Sequence, residues 1–153
     1  MDMNGEFRIE APRETVWQAL NDPEILKACI PGCDEMEKHS DTQFTAKMTA
    51  RFGPVKAGFT SEINLSDLQP PERYTISGEG KGGPAGFGKG TANVTLEEDG
   101  DGTVLRYEAA LQVGGKLAQI GSRLVSGSAR KIADDFFSRF SELVVEGSVG
   151  ESQ

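Results

Sequence analysis

Apolar residues in the last third of the chain recur at Leu117, Ile120, Leu124, Ile132, Phe136, Phe140 and Leu143, at intervals of three, four and eight. That spacing is one face of an α-helix, and no proline interrupts residues 114–145. At 1.5 Å per residue such a helix is roughly 45 Å long, more than a small domain needs merely to cap its core. Its two halves differ. From Ile132 onward the apolar face is heavy, with Phe136, Phe137, Phe140, Leu143 and Val144. Before it the face is light, with Ala118, Gly121, Ser122, Ser126, Gly127, Ser128 and Ala129. A glycine inside a helix costs about 1 kcal/mol relative to alanine. Either a close approach of backbones or room for a ligand beside the helix would compensate for Gly121 and Gly127.

Upstream, the period changes from that of a helix to that of a strand. Met3, Gly5, Phe7 and Ile9 alternate with polar residues, as in a half-buried strand. Pro12 and Asp22-Pro23 then open two short helices, the first with Val16, Trp17 and Leu20 on its apolar face. Residues 34–113 read as strand after strand. Phe44, Ala46, Met48, Ala50 and Phe52 share one face, as do Val55, Ala57, Phe59, Ser61, Ile63 and Leu65. Tyr74, Ile76, Gly78 and Gly80 continue that face, followed by Gly90, Ala92, Val94 and Leu96, and by Leu105, Tyr107, Ala109, Leu111 and Val113. Gly53-Pro54, Pro70-Pro71 and Asp99-Gly100-Asp101-Gly102 supply the turns. About seven antiparallel strands, each with one polar face, need a single cover for their apolar side. The final helix supplies it, in an α+β fold whose curved sheet wraps a long C-terminal helix.

Many inward positions are small, among them Ala46, Ala50, Ala57, Gly78, Gly80, Gly90, Ala92 and Ala109. Set against the light half of the helix, they describe an apolar cavity suited to a lipophilic ligand. Its expected lining is Phe44, Phe59, Ser61, Tyr74, Ile76 and Tyr107 from the sheet, with Trp17 from the first short helix. Leu117, Ile120, Gly121 and Leu124 would join them from the long one, and Phe87 would serve as a lid at the tip of a glycine-rich hairpin. Tyr74, Tyr107 and Ser61 are the groups able to orient a ligand oxygen, although inward tyrosines more often bond within the protein. As acids or bases for an enzyme acting on an apolar cyclic substrate, only Tyr74, Tyr107 and His39 are available.

Charge and motifs narrow the classes. The chain has 153 residues, enough for one domain with a true core, and a formal net charge of -8. That balance speaks against nucleic-acid binding and against electrostatic attachment to an anionic membrane. Without a signal peptide or an apolar run long enough to span a bilayer, the expected location is the cytoplasm. Residues 1–145 read as the domain and 146–153 as a short acidic, disordered tail. Cys29 and Cys33 have three residues between them, not the two of a redox pair, and no metal set accompanies them. His39 lies in a polar stretch read as a solvated turn. Gly83 to Lys89 fits the start of a phosphate-binding loop, but Gly90 stands where Ser or Thr should hold magnesium, and a strand pattern follows instead of a helix. A flexible hairpin is the better reading.

Three stretches together, LKACIPGCDEM (26–36), FGPVKAGFTSEINLSD (52–67) and GEGKGGPAGFGKG (78–90), closely resemble the CoxG proteins associated with carbon monoxide dehydrogenase, and the match continues through 114–137. The resemblance implies the helix-grip fold of the Bet v 1 and START-like superfamily. It also implies an accessory, non-catalytic role beside a molybdenum hydroxylase related to carbon monoxide dehydrogenase. There such a protein would bind a quinone non-covalently for electron hand-over or help recruit the enzyme to the membrane. Many members carry a C-terminal membrane-binding extension, which the short acidic tail does not resemble. Membrane contact is therefore expected to be peripheral at most, at the inner face and through the partner. A small cyclase-like enzyme and a ligand-free assembly factor are the alternatives.

Overall fold

Alternation sets the first strand, β1 (Asp2–Ile9), in the computed structural model of the chain, which describes residues 1–151. Pro12, extended, enters α1 (Arg13–Leu20). The Asp22 carboxylate accepts from the Glu24 N–H at 2.9 Å to cap α2 (Pro23–Cys29), with Pro23 where a helix has no use for an N–H. Six strands follow: β2 (Cys33–Ser40), β3 (Gln43–Phe52), β4 (Val55–Gln69), β5 (Arg73–Lys81), β6 (Phe87–Asp99) and β7 (Gly102–Gly114). The chain closes with α3 (Lys116–Gln119) and α4 (Ser122–Glu151).

The seven strands form one antiparallel sheet in the order β1-β7-β6-β5-β4-β3-β2. Cross-strand partners match the faces expected from alternation: Ala46 lies opposite Ser61, Ile63 opposite Gly78, Ala92 opposite Ala109, and Met3 opposite Ala109. The β6–β7 turn falls at Gly100, whose φ of 61° suits glycine. The heavy half of α4 closes one end of the gripped space. Phe140 is fully buried there with Ile9, Val16, Phe44 and Leu105, each such side chain contributing about 1.5–3 kcal/mol. Thr103, also fully buried, donates to the Ala11 carbonyl at 2.8 Å and ties β7 to the β1–α1 link.

Three expectations need correction. The final helix is not continuous: Gly121, at φ 97°, breaks it between α3 and α4. The break shifts the buried position by one residue, so Val125 is fully buried whereas Leu124 is 51% exposed. His39 is not in a turn; it lies on the edge strand β2, exposed, with Nε2 2.8 Å from Thr45 Oγ1. Of the segment expected to be disordered, α4 continues as helix through Glu151, since no proline stops it, and residues 152–153 lie outside the described residues.

Candidate functional site

Under the first half of α4 the inner face of the sheet loses its side chains. Gly78 lies opposite Gly90 and Gly80 opposite Gly88, so β5 and β6 present a square of glycines to the interior. None of them has the positive φ that would require glycine. A Cβ at Gly78 would come no nearer than 3.6 Å to another atom, and one at Gly88 no nearer than 3.9 Å. Glycine in a strand costs about 0.5–1 kcal/mol relative to alanine. Neither backbone conformation nor close packing explains that cost at Gly78 and Gly88; the space it leaves open does.

That space is a cavity of about 360 Å³ floored by these glycines and walled by Ala50, Phe52, Phe59, Val113 and Leu117. A second chamber of about 410 Å³ lies toward the core, lined by Leu26, Phe44, Leu65, Tyr74, Tyr107 and Phe136 among others. The two share Met3, Met48, Ile76, Ala92, Ala109 and Ala129, so they meet beneath α4. Each falls within the range typical of small-molecule sites, about 300–1,000 Å³. Among the described residues, no carboxylate or imidazole lines either chamber. The inner chamber's two titratable groups are tyrosines, and burial pushes both hydroxyls above their ordinary range. A lipophilic molecule would therefore meet neutral walls there.

Of the residues expected to line a cavity, the structure brings together Phe44, Phe59, Ser61, Tyr74, Ile76, Tyr107 and Leu117. Trp17 stands one shell away, edge-on to Tyr74 at 5.2 Å between ring centres. Ile120 packs beside Val55 and Phe59 without lining either chamber. Gly121 and Leu124 do not line it: a Cβ at Gly121 would meet nothing within 4 Å, and Leu124 lies against Gly53 on the surface. The light half of the helix is mostly solvent-facing, and Ala129 alone of its small residues enters the lining. Phe87 is not a lid. It keeps the outward phase of Lys89 and Thr91, and its ring covers Gly114 on the outer face, 42% exposed. The glycine-rich segment joins β5 to β6 through a 3-10 turn at Gly83–Ala85, with no helix N-terminus to cradle a phosphate.

Met3, Met48 and Ala129, which line both chambers, are among the lining residues that the expected set omitted. Met3 and Met48 have the inward parity of their strands, so the same alternation could have found them. Cys29 and Cys33 are free thiols away from both chambers.

The net charge is unevenly spread along the chain. Residues 51–61, 80–96 and 109–133 carry half of the 16 Lys and Arg and none of the 24 Asp and Glu. The fold gathers the turns of these segments at one end: a Cβ at Gly53 would lie 3.6 Å from Leu124 and 3.7 Å from Ile120, and one at Gly86 would be 3.1 Å from the Lys116 N–H nitrogen. Among the described residues, Arg51, Lys56, Lys81, Lys116 and Arg123 are exposed and have no carboxylate within ion-pair distance. Phe87 and Leu124, the exposed large apolar residues among those described, stand at the same end. An acidic molecule thus has one basic, partly apolar end, close to the glycine-floored chamber.

Comparison with known proteins agrees with this architecture. The family model for CoxG, a component of carbon monoxide dehydrogenase, matches residues 5–145. The crystal structure of a conserved protein from Geobacillus kaustophilus is similar at 31% identity over 95% of this chain and 96% of that one, with a TM-score of 0.89. A protein from Thermus thermophilus shares the fold at 17% identity, 97% and 99% coverage and a TM-score of 0.71. So does the Zhui aromatase/cyclase from a Streptomyces species, at 13% identity, 94% and 93% coverage and 0.65. No curated protein matched in sequence. The fold is the helix grip of Bet v 1 and START-like proteins.

Proposed function

The chain belongs to the CoxG family of carbon monoxide dehydrogenase components, and from that membership and the cavity we propose that it is a non-catalytic carrier of a lipophilic ligand, a quinone in the first instance. On this reading it serves a molybdenum hydroxylase related to carbon monoxide dehydrogenase. The observation that carries the proposal is the glycine floor: Gly78 and Gly88 are needed neither for backbone conformation nor for packing, and they hold open an apolar chamber continuous with a second one. A flat ring can lie against a floor without side chains, and an isoprenoid chain has methionine, leucine and phenylalanine walls to follow. Among the described residues no helix is long and apolar enough to cross a membrane. The basic end with Phe87 and Leu124 is the surface this reading assigns to an anionic bilayer, where such a ligand would be exchanged.

Mass spectrometry of an organic extract of gently purified protein should reveal a stoichiometric prenyl quinone. Added quinone should quench Trp17, the single tryptophan, through its contact with Tyr74 at the inner chamber. Gly88→Val should preserve the fold, because its Cβ has room, and weaken quinone binding at least tenfold by filling the outer chamber. An empty extract together with no binding of added quinone would overturn the carrier reading in favour of a ligand-free docking protein.

A further inference from the structure

One wall of the outer chamber is far less firmly held than the rest. Among the described residues, those lining it lie on the sheet, apart from Ala129 on α4 and Leu117 on α3. Strands cannot part without breaking their ladder of hydrogen bonds. α4 is pinned by the fully buried Val125 and Phe140, and the Gly53 N–H donates to Ser128 Oγ at 3.2 Å, which ties α4 to the β3–β4 turn. α3 is different. It is a single turn, Lys116–Gln119, between two glycines of positive φ, Gly115 at 67° and Gly121 at 97°. Lys116, Ala118 and Gln119 are exposed, so the turn is seated by Leu117, 1% exposed, with the half-buried Ile120 at its end. Leu117 packs with Ala50, Val55, Phe59 and Ala85 in a cluster separate from the main core. The two ends of the turn also differ. At the first, backbone lies on backbone: a Cβ at Gly86 would stand 2.1 Å from the Gly114 oxygen, and one at Gly115 2.9 Å from Gly86 Cα. At the second, a Cβ on Gly121 would meet nothing within 4 Å, so no packing restrains it.

We propose that α3 is the door of the cavity: it swings outward about Gly115 and Gly121, draws Leu117 off the end of the outer chamber, and lets the ligand in and out there. This rests on the carrier reading above and adds the route of exchange. The motion breaks no strand pairing and leaves Val125 and the rest of α4 in place. It also brings Leu117 and Ile120 to the surface where Phe87 and Leu124 already stand exposed, so an apolar phase against that end favours the open state. Gly121 holds a φ that an L side chain resists, so alanine there strains the closed turn in the free and the loaded protein alike. Opening relieves that strain. Exchange therefore quickens in both directions while affinity stays the same.

The test times the exchange of 2,3-dimethyl-1,4-naphthoquinone by stopped-flow quenching of Trp17. Gly121→Ala should raise the association and dissociation rates together by about tenfold and leave their ratio unchanged, whereas Gly127→Ala on α4 should alter neither. A lock supplies the converse. A Cβ at Gly53 would lie 3.7 Å from Ile120 Cδ1, so Gly53→Cys/Ile120→Cys, in a Cys33→Ser background, can be bridged with 1,3-dibromoacetone. Bridging should slow both rates by about tenfold or more relative to the same protein unbridged. The control is the disulfide of Gly53→Cys/Leu124→Cys, whose Cβ atoms would be 3.7 Å apart, as a disulfide requires. It ties the β3–β4 turn to α4, leaves α3 free and should change neither rate. Quinone binding at wild-type rates in Gly121→Ala, or slowing by the disulfide as great as by the bridge, would overturn the door and leave the carrier standing. No binding by the wild type would overturn both. If Gly121→Ala failed to fold, the bridged and unbridged forms of one protein would still decide: equal rates refute the door.

Discussion

Cys29 and Cys33 show how local burial decides chemistry that their spacing leaves open. Cys29 is 3% exposed and its thiol is pushed up from 9.0 to about 11 by burial, with Arg139 opposing weakly. Cys33 is half-buried and raised too, chiefly by burial, which hydrogen bonding from the Glu35 backbone partly offsets. Only the thiolate reacts with alkylating agents. A shift of that size lowers the thiolate fraction of Cys29 about 100-fold near pH 8, before access is considered. Iodoacetamide at pH 8 should therefore modify Cys33 first and Cys29 only after denaturant is added, as read by peptide mass spectrometry. Because the folded pKa is raised, the neutral thiol's contribution to stability is complete below about pH 9 and declines as pH rises toward 11. Comparable rates at the two thiols in the native protein would contradict the burial on which this rests.

At the scale of elements, two glycines on one helical segment should respond in opposite directions. Gly121 sits at φ 97° in the break before α4, where an L side chain is strained whatever the space. Gly127 is exposed within α4, and a Cβ there would meet nothing within 4 Å. Urea denaturation should show Gly121→Ala destabilised by about 1–3 kcal/mol and Gly127→Ala stabilised by about 0.5–1 kcal/mol, with ligand affinity unchanged in both. The sequence could not separate them, since a helical period reports which residues are apolar and not where a single φ resets the phase. Leu124 and Val125 adjoin, so a one-residue slip leaves the pattern equally convincing while exchanging the buried residue. The sheet was far more legible. A period of two allows only two faces, and the pairing of Phe44 with Ile63 or Val94 with Tyr107 identifies the inward one. The cavity was legible for the same reason, because small residues on a known face can be counted. Phe87 was misplaced because the glycines around it suggested a loop, whereas β6 already begins there and fixes its outward parity.

For the molecule as a whole, a net charge of -8 conceals a basic end, because turns distant in sequence converge only after folding. Three stretches free of acidic residues meet near the outer chamber, so the remainder of the surface is correspondingly more acidic. On an anionic bilayer such a molecule would orient itself: the acidic body is repelled and the basic end drawn in, bringing Phe87 and Leu124 toward the lipid. Each basic residue near such a surface contributes about 1 kcal/mol. Reversing Arg51, Lys81 and Lys116 to glutamate should therefore weaken binding to phosphatidylglycerol-containing vesicles by more than about 100-fold in co-sedimentation. Raising salt toward 1 M, where the Debye length shrinks to roughly 3 Å, should weaken the wild type similarly. The decisive control changes the net charge by the same amount elsewhere. Arg8, Arg106 and Arg139 already sit in exposed ion pairs, each of modest worth, and reversing them should leave vesicle binding nearly intact if the end of the molecule, rather than its total charge, meets the membrane. Equal losses for the two triple variants would mean that only net charge matters. No binding by the wild type even at low salt would remove the bilayer as the occupant of this face and leave an acidic protein partner to be sought there.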